Sequence, residues 1–204
     1  MTVCGNQMAM WSRKSLPSLG LWLALAMAGV AACVPRLMPA VPAGVVLTPG
    51  RYLTAFYRDP AFAADRAAYV IQPFTVEPAP GVAAETLQSL LQEELTRAWQ
   101  ANGLKLSPRG ETVVAGTVQY VDLSGASLRW LTGKIATNLV VSGAITRGGE
   151  TVFAFQDRLH LASPINPGPP APKEAELLLR TAVRTFAAHV LNELLLYEPP
   201  AEGK

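Results

Sequence analysis

The chain is poor in the residues that carry out most protein chemistry. Its 204 residues include two cysteines and two histidines, and only 16% are charged. Cys4 falls in the leader read below, so Cys33 stands alone and no intramolecular disulfide can form. Paired cysteines for zinc are missing, and single histidines at 160 and 189 argue against a metal site. There is no G-x-S-x-G elbow and no H-E-x-x-H helix. Gly133-Lys134 is followed by Ile135 where a phosphate-binding loop needs Ser or Thr, so that motif fails too. No cofactor is implied. Charge of one sign is equally scarce. A formal net charge of +2 offers no surplus for neutralising phosphates, which excludes a strongly basic nucleic-acid binder. Only one apolar run approaches the length of a membrane span, so a polytopic helical membrane protein is excluded. No internal repeat is visible.

What the chain has is apolarity, concentrated at its start. Half the residues are hydrophobic and the mean hydropathy is +0.24. Arg13 and Lys14 precede an uncharged stretch that includes Leu16 to Val30 and ends in Val30-Ala31-Ala32-Cys33. A basic head, an apolar middle and small residues before a cut are the layout of a secretory signal. The final four residues resemble a bacterial lipobox. That resemblance implies cleavage after Ala32 and a lipidated Cys33 as the first mature residue. Acyl chains anchor because each buried methylene contributes about 0.8 kcal/mol. The other reading is an uncleaved signal anchor in which the cysteine is incidental. Met8 and Met10 are alternative starts. Residues 1–32 are thus read as a signal peptide and 33–50 as a Pro/Ala-rich tether. Residues 51–198 form one domain, and 199–204 are a polar tail. Val34, rather than aspartate, follows the cysteine, which favours the outer membrane over the inner one.

The domain reads as alternating strands and helices. Gly50 to Asp65 mixes aromatic and charged side chains, which suits a loose lead-in or a short edge strand. Ala67 to Val76 has strand character, with Pro73 marking an edge or a bend. From about Ala83 to Ala101, Leu87, Leu91, Leu95 and Trp99 recur at helical spacing, and Asn102-Gly103 is a stop. Leu104 to Leu106 is a short strand. Val113 to Leu123 is another, with Val114, Val118 and Tyr120 expected on one face. Residues 135–147 and 151–161 are two longer strands joined by a tight turn at Gly148-Gly149. In the second, Phe153, Phe155, Leu159 and Leu161 point one way and Gln156, Arg158 and His160 the other. A proline-rich connector, 163–172, leads to a long helix from about Lys173 to Tyr197. The order β-α-β-β-β-β-α predicts an α+β fold. Its mainly antiparallel sheet would carry both helices on one face.

Candidate functional residues are few. His160 reads as a surface histidine and His189 as half-buried beside an apolar stripe. Glu93-Glu94 reads as a solvated helix face, since neighbouring helical residues diverge. Asp122 and Arg129 could form a weak surface pair. The segment Leu123 to Lys134 is less routine, because Leu128, Trp130 and Leu131 lie beside Arg129. A Trp next to Arg suits a protein contact. It also suits a membrane surface or a lid on the core. Ile165 in the proline-rich connector is a second candidate contact. An enzyme would need distant residues to meet, for example His160 and Asp122.

From Ala67 to Tyr197 the chain resembles small bacterial envelope lipoproteins, among them uncharacterised lipoproteins, ABC-transport auxiliary lipoproteins and the lipopolysaccharide-assembly lipoprotein. The matching features are the Pro73-Phe74 step, the helix ending before Gly103, and Val113-Val114-Ala115-Gly116-Thr117-Val118. The Gly148-Gly149 tip and the Arg129 to Gly133 stretch complete the set. The start differs from the lipopolysaccharide-assembly members, since Val34-Pro35 follows the cysteine. The resemblance implies a non-enzymatic, lipid-anchored periplasmic adaptor that binds another envelope protein, within a transport or assembly complex. The alternative is a carrier or sensor of a lipid or other apolar ligand.

Overall fold

A computed structural model of the chain describes residues 42, 44–79, 82–123, 135–163 and 173–196. Seven strands form one sheet: β1 (Ala55–Arg58), β2 (Ala68–Ile71), β3 (Thr75–Val76), β4 (Lys105–Leu106), β5 (Thr112–Asp122), β6 (Ala136–Arg147) and β7 (Glu150–Ala162). Two helices, α1 (Ala84–Ala101) and α2 (Glu174–Leu195), pack on one side of it. A 3-10 turn spans Ala64–Arg66.

The expected α+β class and one-sided helix layer hold. The strand order is β1-β7-β6-β5-β2-β4, with β3 also against β5. The long β5, β6 and β7 are antiparallel neighbours, and β1 runs antiparallel to β7. Three short strands make the sheet mixed, because β2 and β3 run parallel to β5 and β4 runs parallel to β2. The stretch read as one strand from Ala67 to Val76 is therefore two strands. Pro73 lies between them and lacks the N–H that a continuous ladder needs. The lead-in does supply an edge strand, β1.

Local chemistry accounts for the joints. At the end of α1, Leu104 N–H reaches the Trp99 carbonyl (3.0 Å) and Gly103 N–H the Gln100 carbonyl (3.0 Å). This closure requires the left-handed φ of 72° that Gly103 adopts. Arg147 pairs with Glu150 across a two-residue turn in which Gly148 and Gly149 have φ of 60° and 88°. Two positive φ angles in succession are what that hairpin twist demands.

The core lies between the sheet and the helices. Ile135, Leu139, Val141 and Ile145 of the sixth-strand segment are buried together, as their alternation predicts. Gly116 and Gly143 sit opposite each other on β5 and β6. A Cβ at Gly116 would come within 2.4 Å of the Phe74 ring, and one at Gly143 within 2.5 Å of Phe155. The missing side chains thus leave room for two rings, and Phe186 of α2 closes over both at centroid distances of 6.3 and 5.8 Å. Each fully buried phenylalanine contributes about 2–3 kcal/mol of apolar transfer. Tyr69 is also buried, stacked edge-on to Trp99. Its hydroxyl donates to the Ala64 carbonyl at 2.7 Å, and burial pushes its pKa well above the ordinary phenol range.

One strand departs from strict alternation. The register of β5 against β6 shifts between Val118 and Tyr120. This bulge turns Tyr120 out to 40% exposure and brings Val121 into the core instead. The expectation that Tyr120 shares a face with Val114 and Val118 is corrected accordingly.

Candidate functional site

The residues singled out from the sequence, Ala32, Cys33, Arg129, Trp130, Leu131 and Ile165, all lie outside the described residues. Their flanking positions are described. Asp122 pairs with Asn138, and Ala136 with Ala162. Ile135 and Ser163 are joined by two hydrogen bonds, Ser163 N–H to the Ile135 carbonyl (2.8 Å) and Ile135 N–H to Ser163 Oγ (3.0 Å). The attachment points of both candidate contact segments therefore sit at one end of the sheet, opposite the Gly148-Gly149 turn.

Two polar clusters occupy the described domain. The first holds the lead-in at residues 50–54. Glu193, in the last turn of α2, is 5% exposed and its Oε2 accepts N–H groups from Tyr52 (2.7 Å) and Leu53 (3.2 Å). Gly50 passes so close that a Cβ there would lie 2.7 Å from Glu193 Oε2. On β7, Asp157 is 2% exposed. Its Oδ1 accepts from the Thr54 backbone N–H and hydroxyl, both at 3.3 Å, and from Arg158 N–H at 3.0 Å. Its Oδ2 accepts from His189 Nδ1 of α2 at 2.8 Å. Leu53 is buried between these clasps, and β1, with Phe56 buried on it, then joins the sheet. Sequence reading found His189 half-buried but did not find its partner. Asp157 is 32 residues away and emerges on the helix side of the sheet only through the alternation of β7.

The second cluster binds the two helices. Glu94 is 2% exposed, so the reading of Glu93-Glu94 as a solvated face is corrected for Glu94. It accepts from Arg97 Nη1 (2.9 Å), Arg180 Nη1 (3.1 Å), Arg184 Nε (3.1 Å) and Arg184 Nη2 (3.3 Å). Glu93 Oε1 receives Arg97 Nη2 at 2.6 Å and Arg180 Nη1 at 3.1 Å. The two carboxylates diverge at their Cβ atoms, yet the guanidinium forks are wide enough to bridge them. Burial by itself raises the Glu94 pKa, but the arginine hydrogen bonds and charges outweigh it and hold the carboxyl below its usual range.

Neither cluster is arranged as a nucleophile, a base and an acid in series. The Thr54 hydroxyl donates to Asp157 and accepts from Arg158 N–H rather than lying on the histidine ring. His160 is exposed and meets Asn138 Oδ1 at 2.7 Å, not Asp122. Among the described residues no group of three His, Cys, Asp or Glu side chains converges for a metal, and no helix is long and apolar enough to cross a membrane.

No protein-family model matches the chain, and no curated protein matches it in sequence. Its fold is similar in part to solved structures. A protein from Xanthomonas campestris is 12% identical, with 68% of this chain and 89% of that chain covered, at a TM-score of 0.46. The PelC dodecamer from Paraburkholderia phytofirmans is 12% identical, covering 66% of this chain and 94% of that chain at a TM-score of 0.40. Rare lipoprotein B from Shewanella oneidensis is 15% identical, covering 59% of this chain and 92% of that chain at a TM-score of 0.40. Several of the similar structures are described as bacterial lipoproteins, the group that the sequence resembles.

Proposed function

We propose that this protein is a lipid-anchored periplasmic adaptor that binds another cell-envelope component, works by contact rather than catalysis, and is held at the outer membrane by acyl chains on Cys33. The observation that carries the reading is the run Arg13 to Cys33, with its basic head, apolar middle and Val-Ala-Ala-Cys end. The lead-in supports it from the domain side. A chain tethered at Cys33 needs a firm entry into the folded part, and Glu193, Asp157 and His189 fasten residues 52–54 there. An apolar-ligand carrier would need a chamber between sheet and helices. Phe74, Phe155 and Phe186 fill the middle of that space, which favours the adaptor.

Replacing Cys33 with Ser should abolish acylation and release the protein from the membrane fraction. A Cys33→Ser protein that still sediments with membranes like wild type would overturn the anchor. For the partner, a photo-crosslinking amino acid at Trp130 should capture one envelope protein in living cells. Capture of nothing would count against the adaptor role.

A further inference from the structure

At the end of the sheet that carries the Gly148-Gly149 turn, four cations gather around one hollow. Register brings two of them there from separate strands. Lys105 of β4 pairs with Ala68 of β2, Tyr69 of β2 pairs with Thr112 of β5, and Thr112 pairs in turn with Arg147 of β6. Arg66 ends the 3-10 turn just before β2, and Arg109 lies between β4 and β5. The β4–β5 connection is folded by three hydrogen bonds. Ser107 N–H donates to the Tyr69 carbonyl (2.9 Å), Gly110 N–H to the Ser107 carbonyl (3.0 Å) and Arg109 N–H to Ser107 Oγ (3.3 Å). It lies so close to β2 that a Cβ at Gly110 would be 2.4 Å from the Ala68 carbonyl oxygen.

The hollow has a volume of about 360 Å³ and is lined by Arg66, Lys105, Ser107, Arg109, Glu111 and Arg147. Four cations thus share it with one carboxylate, in a chain whose formal net charge is only +2. Among the described residues, none of the four forms an ion pair, although Glu111 lines the same hollow and Glu150 is the register partner of Arg147. The arginines of the helix pair behave differently, since Arg97, Arg180 and Arg184 all bond to Glu94. Like charges gathered without counter-charges repel one another, and an entering anion relieves that repulsion.

We infer that this hollow is a binding site for a phosphomonoester group, carried by a soluble molecule or by a lipid headgroup. Such a group has a charge of about −1.5 to −2 at neutral pH and three strong acceptor oxygens. Guanidinium forks grip two oxygens at a time, and lysine adds a point charge. Three arginines and a lysine together can serve all three oxygens. A carboxylate or a phosphodiester brings one charge and two free oxygens, and so uses only part of the set. The volume lies in the range of small-ligand sites, about 300–1,000 Å³. The attraction acts at contact, because charge is screened beyond about 8 Å at physiological ionic strength.

The site is separate from the adaptor role, since it lies at the opposite end of the sheet from the attachment points of residues 124–134 and 164–172. Purified full-length protein is titrated calorimetrically with methyl phosphate and with its diester counterpart, dimethyl phosphate. Methyl phosphate should bind at least about tenfold more tightly than the diester, and Arg109→Gln and Arg147→Gln should each weaken it at least about tenfold. Arg158→Gln, which removes an exposed cation of β7 outside the hollow, should leave the affinity unchanged. An unchanged thermal midpoint of each variant without ligand shows that folding is intact. Flotation of Cys33→Ser protein distinguishes the two sources of the group, using phosphatidylcholine vesicles that contain phosphatidic acid, a monoester, or phosphatidylglycerol, a diester. Flotation with phosphatidic acid alone, lost in Arg109→Gln, assigns the group to a lipid. Binding of methyl phosphate without that flotation assigns it to a soluble molecule. Absence of binding in both arms overturns the site. A diester bound as tightly as the monoester, or binding that both arginine variants retain, overturns it as well.

Discussion

Glu94 shows how a single buried charge is tolerated. Its carboxylate is 2% exposed, and three arginines from two helices supply every hydrogen bond it receives. Burying a carboxylate carries a large desolvation cost, and removing its partners or its charge leaves the rest of the cluster mismatched. Glu94→Gln should therefore lower the thermal midpoint at neutral pH. The sign of the pH dependence follows from the arginines. They hold the folded-state pKa below the ordinary value of 4.5, so the stabilisation is complete above that value and lost as the pH falls through the lowered one. Thermal midpoints of wild type and variant should differ at pH 7 and converge as the pH falls below 4.5 and through the lowered value. A constant gap down to the most acidic pH would show that the carboxylate charge is not what matters. Salt should narrow the gap in part, because the Arg97 and Arg184 side chains are 53% and 62% exposed and open to screening.

At the scale of elements, the notable construction is the attachment of the lead-in. β1 is only four residues long and sits at the edge of the sheet, where a short strand alone holds poorly. Two carboxylates hold the three residues just before it, one from α2 and one from β7. Each accepts main-chain N–H groups that an edge segment would otherwise leave to water. Glu193→Ala should thus free the Tyr52 and Leu53 amides while the sheet and α1 stay folded. Hydrogen exchange should rise selectively at residues 50–54, and limited proteolysis should cut there first. Uniformly faster exchange across β5 to β7 would show instead that the clasp is part of the global core. The same clasp satisfies Glu193, which helical spacing places on the buried face of α2, three residues after Val190 and seven after Phe186.

For the molecule as a whole, charge balance is the governing property. Arg13 and Lys14 are the only charges ahead of Cys33, so the remainder carries fifteen basic and fifteen acidic side chains. A balanced surface has no long-range pull toward anionic lipid, which attracts basic segments by about 1 kcal/mol per residue. Membrane attachment would then rest on the acyl chains alone. Purified Cys33→Ser protein should float equally weakly with phosphatidylcholine vesicles and with vesicles containing phosphatidylglycerol. Preferential flotation with the anionic vesicles would reveal a basic face hidden by the overall balance.

Much of the architecture could be read from residue order, because it depends on local chemistry. Helix periodicity marked both helices to within two or three residues at their ends, and Gly103 and Gly148-Gly149 marked their joints through φ angles that other residues resist. Alternation assigned the faces of β6 and β7, and Pro73 signalled an edge or bend, though not that the stretch divides into β2 and β3. Other features needed the tertiary structure. Tyr120 turns outward because of a bulge that depends on pairing with β6, which no pattern within β5 reveals. Glu94 is buried because Arg180 and Arg184 arrive from 86 and 90 residues away, and Asp157 meets His189 because α2 crosses β7. The Ile71 carbonyl is met by Gln92 of α1 because β4 pairs with β2 only at Ala68 and Tyr69. Sequence by itself determined the elements and most of their faces, since these follow from neighbours along the chain. Only the tertiary structure decided which charges are buried and which edge stays open, because both depend on what packs across long separations.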